Sequence, residues 1–158
     1  MDQDPLMTIV IPAYNEAHRL PETLRRVIAF VETASEPLNV LVVNNNSRDA
    51  TGAIAAEAAA GHPCLRVTEQ PLQGKGAAVR KGIFEAEGRY VFICDADLAM
   101  PIEELPRFYP AQLGGEYDIA IGSREAPGAR RFNEPFYRHL MGRVFNLMVR
   151  VLAVPGIQ

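Results

Sequence analysis

An α/β fold built on a mostly parallel sheet, with helices on both faces, is what this sequence predicts. Strand-like and helix-like segments alternate along most of the chain. The strand-like segments are short, apolar and rich in β-branched residues, as in strands buried on both faces. Several of them end in polar clusters, and the C-terminal edge of such a sheet is where ligands bind.

Residues 7–11 form the first predicted strand, ended by Pro12. Residues 17–32 have helical spacing through Leu20, Leu24, Val27, Ile28 and Val31. Residues 38–43 are a second strand, followed by the turn-forming cluster Asn44-Asn45-Asn46-Ser47. Ser47 or Asp49 suits the N-cap of an alanine-rich helix reaching about Ala60. A third strand covers residues 65–68, and a helix over 74–87 is entered through Gly74-Lys75-Gly76. Residues 90–94 are a fourth strand, 102–109 a short helix after Pro101, and 118–122 a fifth strand leading into Ser123-Arg124. Residues 125–133 read as a loop, and 134–152 as a last helix.

At 158 residues the chain has the length of a single domain with a real core, and 48% hydrophobic with 22% charged residues is an ordinary globular composition. A net charge of −3 argues against a dedicated nucleic-acid binder. Charge is unevenly spread, since residues 124–150 hold six arginines against Glu125 and Glu134. A basic C-terminal third points to a local anionic partner, either phosphate or a membrane surface. Cys64 and Cys94 give no disulfide framework, so a reducing cytosol is the expected compartment. No apolar run reaches the roughly 18 residues of a membrane span, and residues 1–5 lack the features of a signal peptide.

The most informative segment is Asp95-Ala96-Asp97, which closes the apolar run Tyr90-Val91-Phe92-Ile93-Cys94. Two carboxylates at one strand end repel unless a divalent cation or a sugar hydroxyl shares the charge. A cation that also holds phosphates is the simplest explanation, and a solvated strand end with Asp97 as a helix cap is the plain alternative. Pro12-Ala13-Tyr14-Asn15-Glu16 lies at the same edge, where Tyr14 offers a flat face for a base and Asn15 and Glu16 offer donors and acceptors. Asn44, Asn45 and Asn46 can read the rim of a base or ribose, or can simply serve a turn. Arg124 arrives from the fifth strand. Four strands thus aim polar groups at one edge, as a nucleotide-sugar site requires. Neither a P-loop nor a G-x-G-x-x-G motif after the first strand is present.

In order, Ile11-Pro12-Ala13-Tyr14-Asn15-Glu16, Val43 through Ser47-Arg48-Asp49-Ala50-Thr51, Gly74-Lys75-Gly76, Asp95-Ala96-Asp97 and Gly122-Ser123-Arg124 resemble the landmarks of family 2 glycosyltransferases. The resemblance implies a GT-A-type, Rossmann-like sheet over one domain, residues 1–158. It is closest to the branch that glycosylates polyprenyl or dolichyl phosphate. It implies inverting transfer of a hexose from UDP-glucose or GDP-mannose to a polyprenyl-phosphate lipid. On this reading Asp97, with Asp95, binds Mg2+ or Mn2+, and Asp95 also holds the ribose. Pro12, Tyr14, Asn15, Glu16, Asn44, Asn45 and Lys75 bind the nucleotide sugar. Arg124 meets the diphosphate or acceptor phosphate, and Arg130 and Arg131 close over the acceptor.

Three departures from the family pattern stand out. The second motif is usually V-D-D-G-S-x-D-x-T, where this chain has Val43-Asn44-Asn45-Asn46-Ser47. Ala99 stands where mannose-type enzymes often carry glutamine, which favours the glucosyl type. The D-x-x-x-G-F-K-like segment that normally follows is absent, so the domain is expected to be incomplete at its C-terminus. The 134–152 helix places Arg138, His139, Arg143 and Arg150 within about 140° of arc opposite a mostly apolar side. Such a helix can rest on the cytoplasmic face of a membrane or pack its apolar side on the core.

Overall fold

A computed structural model of the protein describes residues 4–114 and 117–122. The chain divides into two compact units, Met1–Gly115 and Glu116–Gln158. In the first unit, four strands form a parallel sheet: β1 (Met7–Ala13), β2 (Leu38–Asn44), β3 (Leu65–Glu69) and β4 (Tyr90–Ile93). The helices are α1 (Leu20–Thr33), α2 (Thr51–Gly61), α3 (Lys75–Glu85) and the single-turn α4 (Pro110–Leu113), with a 3-10 helix over Ile102–Phe108.

Strand order is β3-β2-β1-β4. The chain steps outward from β1 to β3, then crosses back past both strands to add β4 on the other side of β1. The gap between the ends of β1 and β4 is therefore a topological switch point, where open α/β sheets hold ligands.

Both faces of the sheet are covered over β1 and β2, as the unbroken apolar strands predict, while Val91 and Ile93 of β4, on the α3 side, are exposed among the described residues. Ile9, Ile11, Val40 and Val42 face one layer, where Leu20, Leu24 and Val27 of α1, Ala55 of α2, and Ile102 and Leu105 of the 3-10 helix pack against them. Val10, Leu41 and Val43 face the other, against Ala78 of α3. Gly82 lets α3 sit close, because a Cβ there would collide with the Val10 side chain.

The differences from the sequence reading have local causes. β1 runs through Pro12 to Ala13 instead of stopping at Ile11. The Tyr90 and Cys94 amides donate to the carbonyls of Leu6 and Val10, so even-numbered residues of β1 face β4. The N–H that Pro12 lacks would point beyond Ile93, where β4 has ended, and no ladder bond is lost. α1 begins at Leu20, not Ala17, because residues 15–17 are bonded to the loop after β2 and to the first residue of α2. The short helix after Pro101 is 3-10, with Pro106 inside it supplying no amide for α-type bonding. Among the described residues, the fifth strand expected over residues 118–122 is not formed. Residues 117–122 have no ladder partner among the described residues, and Ile119 and Ile121 are about four-fifths exposed (78% and 82%). Alternating sequence makes a strand only when another strand pairs with it. The loop and helix expected over 125–152 lie outside the described residues. Among the described residues no helix is long and apolar enough to cross a membrane.

Candidate active site

Two loops at the C-terminal edge are bonded to each other before they meet anything else. The amides of Asn15, Glu16 and Ala17 donate to Ser47 Oγ (3.1 Å), Thr51 Oγ1 (2.8 Å) and Asp49 Oδ2 (3.1 Å). The Arg48 amide returns the contact by donating to Asn15 Oδ1 at 2.8 Å. Asn15 is held in left-handed backbone (φ 53°), which asparagine tolerates. The Thr51 hydroxyl, followed by the Thr51 and Ala17 amides, holds the Asp49 carboxyl below its usual range. This lock turns the chain after β1 so that Tyr14 and Glu16 border a crevice.

Asn44 and Asn45, both buried, close β2 differently. Asn44 Nδ2 donates to both carboxylate oxygens of Glu69, at 3.0 and 2.9 Å. Asn45 Nδ2 donates to the carbonyls of Gln70 (3.2 Å) and Leu72 (2.7 Å), while its Oδ1 accepts the Gly74 amide at 2.8 Å. An aspartate at 45 could accept from Gly74 but could not donate to two carbonyls. Asn46 has φ 56°, the left-handed backbone for which the family pattern has glycine.

At the end of β4 the burial alternates: Cys94 and Ala96 point inward, Asp95 and Asp97 outward. Burial, then the charges of Asp95 and Asp97, pushes the Cys94 thiol up to about 11, so it is no nucleophile at neutral pH. The Ala96 carbonyl accepts a 2.6 Å bond from the Thr23 hydroxyl of α1, inside the core. Asp97 Oδ1 accepts the Ala99 amide at 2.9 Å, and the Leu98 amide donates to the Asp95 carbonyl at 3.0 Å. Leu98 carries φ 48°, a strained conformation for a bulky residue and of the kind that clusters at functional sites. Thr23 and the Asp97 turn together fix where the two carboxylates stand.

The crevice between these ends has a volume of about 440 Å³, within the range of small-molecule sites. Pro12, Tyr14, Glu16, Asn45, Lys75, Asp95 and Asp97 all border it. Lys75 Nζ lies 2.7 Å from Asp95 Oδ1. Asn15 and Asn44 do not border the crevice; their side chains are committed to Arg48 and Glu69. Arg124, Arg130 and Arg131 lie outside the described residues. The helix-cap alternative for Asp97 is replaced by a turn within the Asp95–Ala99 segment. Gln73, which also borders the crevice, and Thr23 behind it carried no mark in the sequence.

No group of three or more His, Cys, Asp or Glu residues that could hold a metal occurs among the described residues. Two carboxylates still suit a hard cation, which commonly takes one or two carboxylates and completes its shell with substrate phosphates and water. Asp97 Oδ1 is occupied by an amide, so its other oxygen is the better donor.

Replacing Thr23 by valine tests the anchor behind this pair. The exchange is nearly isosteric but leaves the buried Ala96 carbonyl without its donor, at an expected cost of about 1–3 kcal/mol. Urea denaturation should show that loss. A stability equal to wild type would mean that the hydroxyl holds nothing.

The model for the family described as "Glycosyl transferase family 2" matches residues 8–152. A dolichyl-phosphate beta-glucosyltransferase of Trichomonas vaginalis is 33% identical over 162 residues, spanning 96% of this chain and 48% of that protein. A dolichol-phosphate mannosyltransferase of Pyrococcus furiosus is 35% identical over 154 residues, spanning 96% of this chain and 42% of that one. The chain thus spans about half the length of the curated relatives it matches. Among solved structures, the mannosyltransferase PcManGT from Pyrobaculum calidifontis, in complex with GDP-Man and Mn2+, superposes with a TM-score of 0.56. It is 30% identical and covers 66% of this chain and 31% of its own. The glucosyl-3-phosphoglycerate synthase of Mycobacterium tuberculosis, at 17% identity, shares the fold over 98% of this chain and 53% of its own, with a TM-score of 0.60. The chain belongs to glycosyl transferase family 2, and its sheet is of the GT-A type.

Proposed function

We propose that this chain, read as a single catalytic domain, forms the donor site of an inverting hexosyltransferase that acts on a polyprenyl phosphate. The observation that carries the reading is the meeting of Asp95 and Asp97 with Tyr14 and Lys75 around one crevice at the switch point. The relatives that act on dolichyl phosphate support the acceptor class. The Mn2+ and GDP-Man of the Pyrobaculum mannosyltransferase complex support a nucleotide-sugar donor with a divalent cation.

Tyr14 stacks on the base, and Asp95 orients the ribose. Asp97 and Asp95 would hold a Mg2+ or Mn2+ ion, whose positive charge would offset that of the departing diphosphate. Lys75 offers a point charge to the same diphosphate. The acceptor phosphate attacks the anomeric carbon from the face opposite the leaving group, which inverts that centre. A phosphate monoester is already anionic near neutral pH, so its attack needs no general base. Arg124, Arg130 and Arg131 hold the acceptor phosphate. On this reading the basic segment 134–152, expected from its sequence to be an amphipathic helix, meets the cytoplasmic face of the membrane through its arginines.

Incubation with UDP-glucose or GDP-mannose, Mn2+ and detergent-dispersed dolichyl phosphate tests this. The expected product is an acid-labile lipid-linked hexose from one of the two donors, and none after chelation. Transfer only to saccharide hydroxyls would overturn the acceptor assignment. Full activity in chelator would overturn the role given to the carboxylate pair.

A further inference from the structure

Three carboxylates, those of Glu16, Asp95 and Asp97, border the crevice, and Lys75 is the one cationic residue among its described lining. Glu16 is paired outward with Arg19 at 3.2 Å. Among the described residues Lys75 is paired with Asp95 alone. Its ammonium therefore stands against one of the two groups that a cation needs.

The placement of Lys75 is built. Gly74 has φ 137°, a backbone essentially reserved for glycine, and starts α3 so that Lys75 is its first residue. Asn45 grips the loop before it through Gln70, Leu72 and Gly74. This grip depends on an amide at the position where the family pattern has an acid. The root of Lys75 is thus tied to the end of β2, while its four-carbon stem stays free. Its side chain is 68% exposed, and Asp95 is 51% exposed. An ion pair so exposed is weak enough to open.

We propose that Lys75 is a displaceable internal counter-ion. It neutralises Asp95 when no donor is bound, and it transfers to the donor diphosphate as nucleotide and cation enter together. The inference rests on the donor-site reading above and adds an order to it. A cation arriving alone must break the Lys75–Asp95 pair and then share the site with a repelled ammonium. A cation arriving with a diphosphate finds that the phosphate oxygens have drawn the ammonium away. Binding of cation and donor is therefore positively coupled, and by linkage each strengthens the other equally.

Free Mn2+ followed by electron paramagnetic resonance, titrated first alone and then with UDP or GDP, tests this on the wild type, Lys75→Gln and Lys75→Arg. In Lys75→Gln, Mn2+ alone should bind about two- to five-fold more tightly, the equivalent of an exposed ion pair. In the same variant, Mn2+-dependent binding of the preferred nucleotide should weaken by about ten-fold or more, the value of a charge-assisted phosphate contact. Lys75→Arg, which keeps the charge, should leave Mn2+ binding as weak as in wild type. Unchanged or weaker Mn2+ binding in Lys75→Gln would overturn the counter-ion. Tighter Mn2+ binding with no loss of nucleotide affinity would overturn the transfer. A wild type that binds neither nucleotide with Mn2+ would instead overturn the donor-site reading, and the inference with it.

Discussion

Replacing Asp97 by asparagine is expected to leave the fold intact and lower kcat/KM for the proposed hexosyl transfer by about 10²–10³-fold or more, the scale set by removing one preorganised electrostatic contact to the transition state. The asparagine is the sharper variant because of what Asp97 does in the structure. Its Oδ1 accepts the Ala99 amide and so closes the turn that carries Leu98 in left-handed backbone. An amide oxygen can accept that same bond, whereas alanine would release the turn and confuse its geometry with its charge. What asparagine removes is the negative charge and the second carboxylate oxygen. Circular dichroism and urea midpoint should match wild type, while Mn2+-dependent nucleotide binding disappears. Activity within a few-fold of wild type would mean that the cation is held elsewhere, or that the reaction needs none.

The second large effect is structural. Gly88→Ala is expected to destabilise the first unit by about 2–4 kcal/mol, at the upper end of overpacking. A Cβ on residue 88 would stand 2.5 Å from the Thr8 nitrogen and 2.6 Å from the Met7 carbonyl carbon. Those are backbone atoms of β1, one of the two inner strands, and cannot swing aside. The same approach lets the Glu87 and Gly88 amides donate to Thr8 Oγ1, at 3.2 and 2.8 Å. Pushing residue 88 outward would lose both bonds and strain the first register pair of β1 with β4, Met7↔Tyr90. Gly82 makes an instructive contrast, because there the obstacle is the Val10 side chain. Val10→Ala should recover part of the damage from Gly82→Ala, whereas no side-chain truncation should rescue Gly88→Ala. Denaturation of the single and double variants measures both. A Gly88→Ala midpoint equal to wild type would show that β4 can shift without penalty.

The strands were legible because burial on both faces leaves long apolar β-branched runs, such as those of β1 and β2, that few other structures use. Their order was not, since nothing in the periodicity of residues 90–93 says that they return to the far side of β1. The carboxylates and Tyr14 were legible because a strand end states where its next residues go. Asn15, Asn44 and Asn45 show where that logic runs out. An asparagine at a strand end can face a ligand or bind its own backbone, and both uses need the same amide. Here Asn15 and Asn45 are bonded to neighbouring loops and Asn44 to Glu69, its register partner on β3, contacts set by how loops and strands come together and invisible in sequence spacing. Thr23 is harder still. It sits on the buried face of α1 among apolar residues, where its hydroxyl could serve only the Arg19 carbonyl of its own helix, and the shorter bond goes to the carbonyl of Ala96, 73 positions away.

The crossing from β3 back to β4 has a consequence for how the molecule is made. β1, β2 and β3 are sequential neighbours, so they and their two helices can assemble while the chain is still being synthesised. β4 must close a loop of more than eighty residues to reach Met7, and such non-local pairings form slowly. Asp95 and Asp97 ride on that strand, so the crevice comes into being only when the slowest pairing is made. Any ligand that touches the ends of both β1 and β4 binds only the completed form, and by mass action it holds shut the seam that closed last.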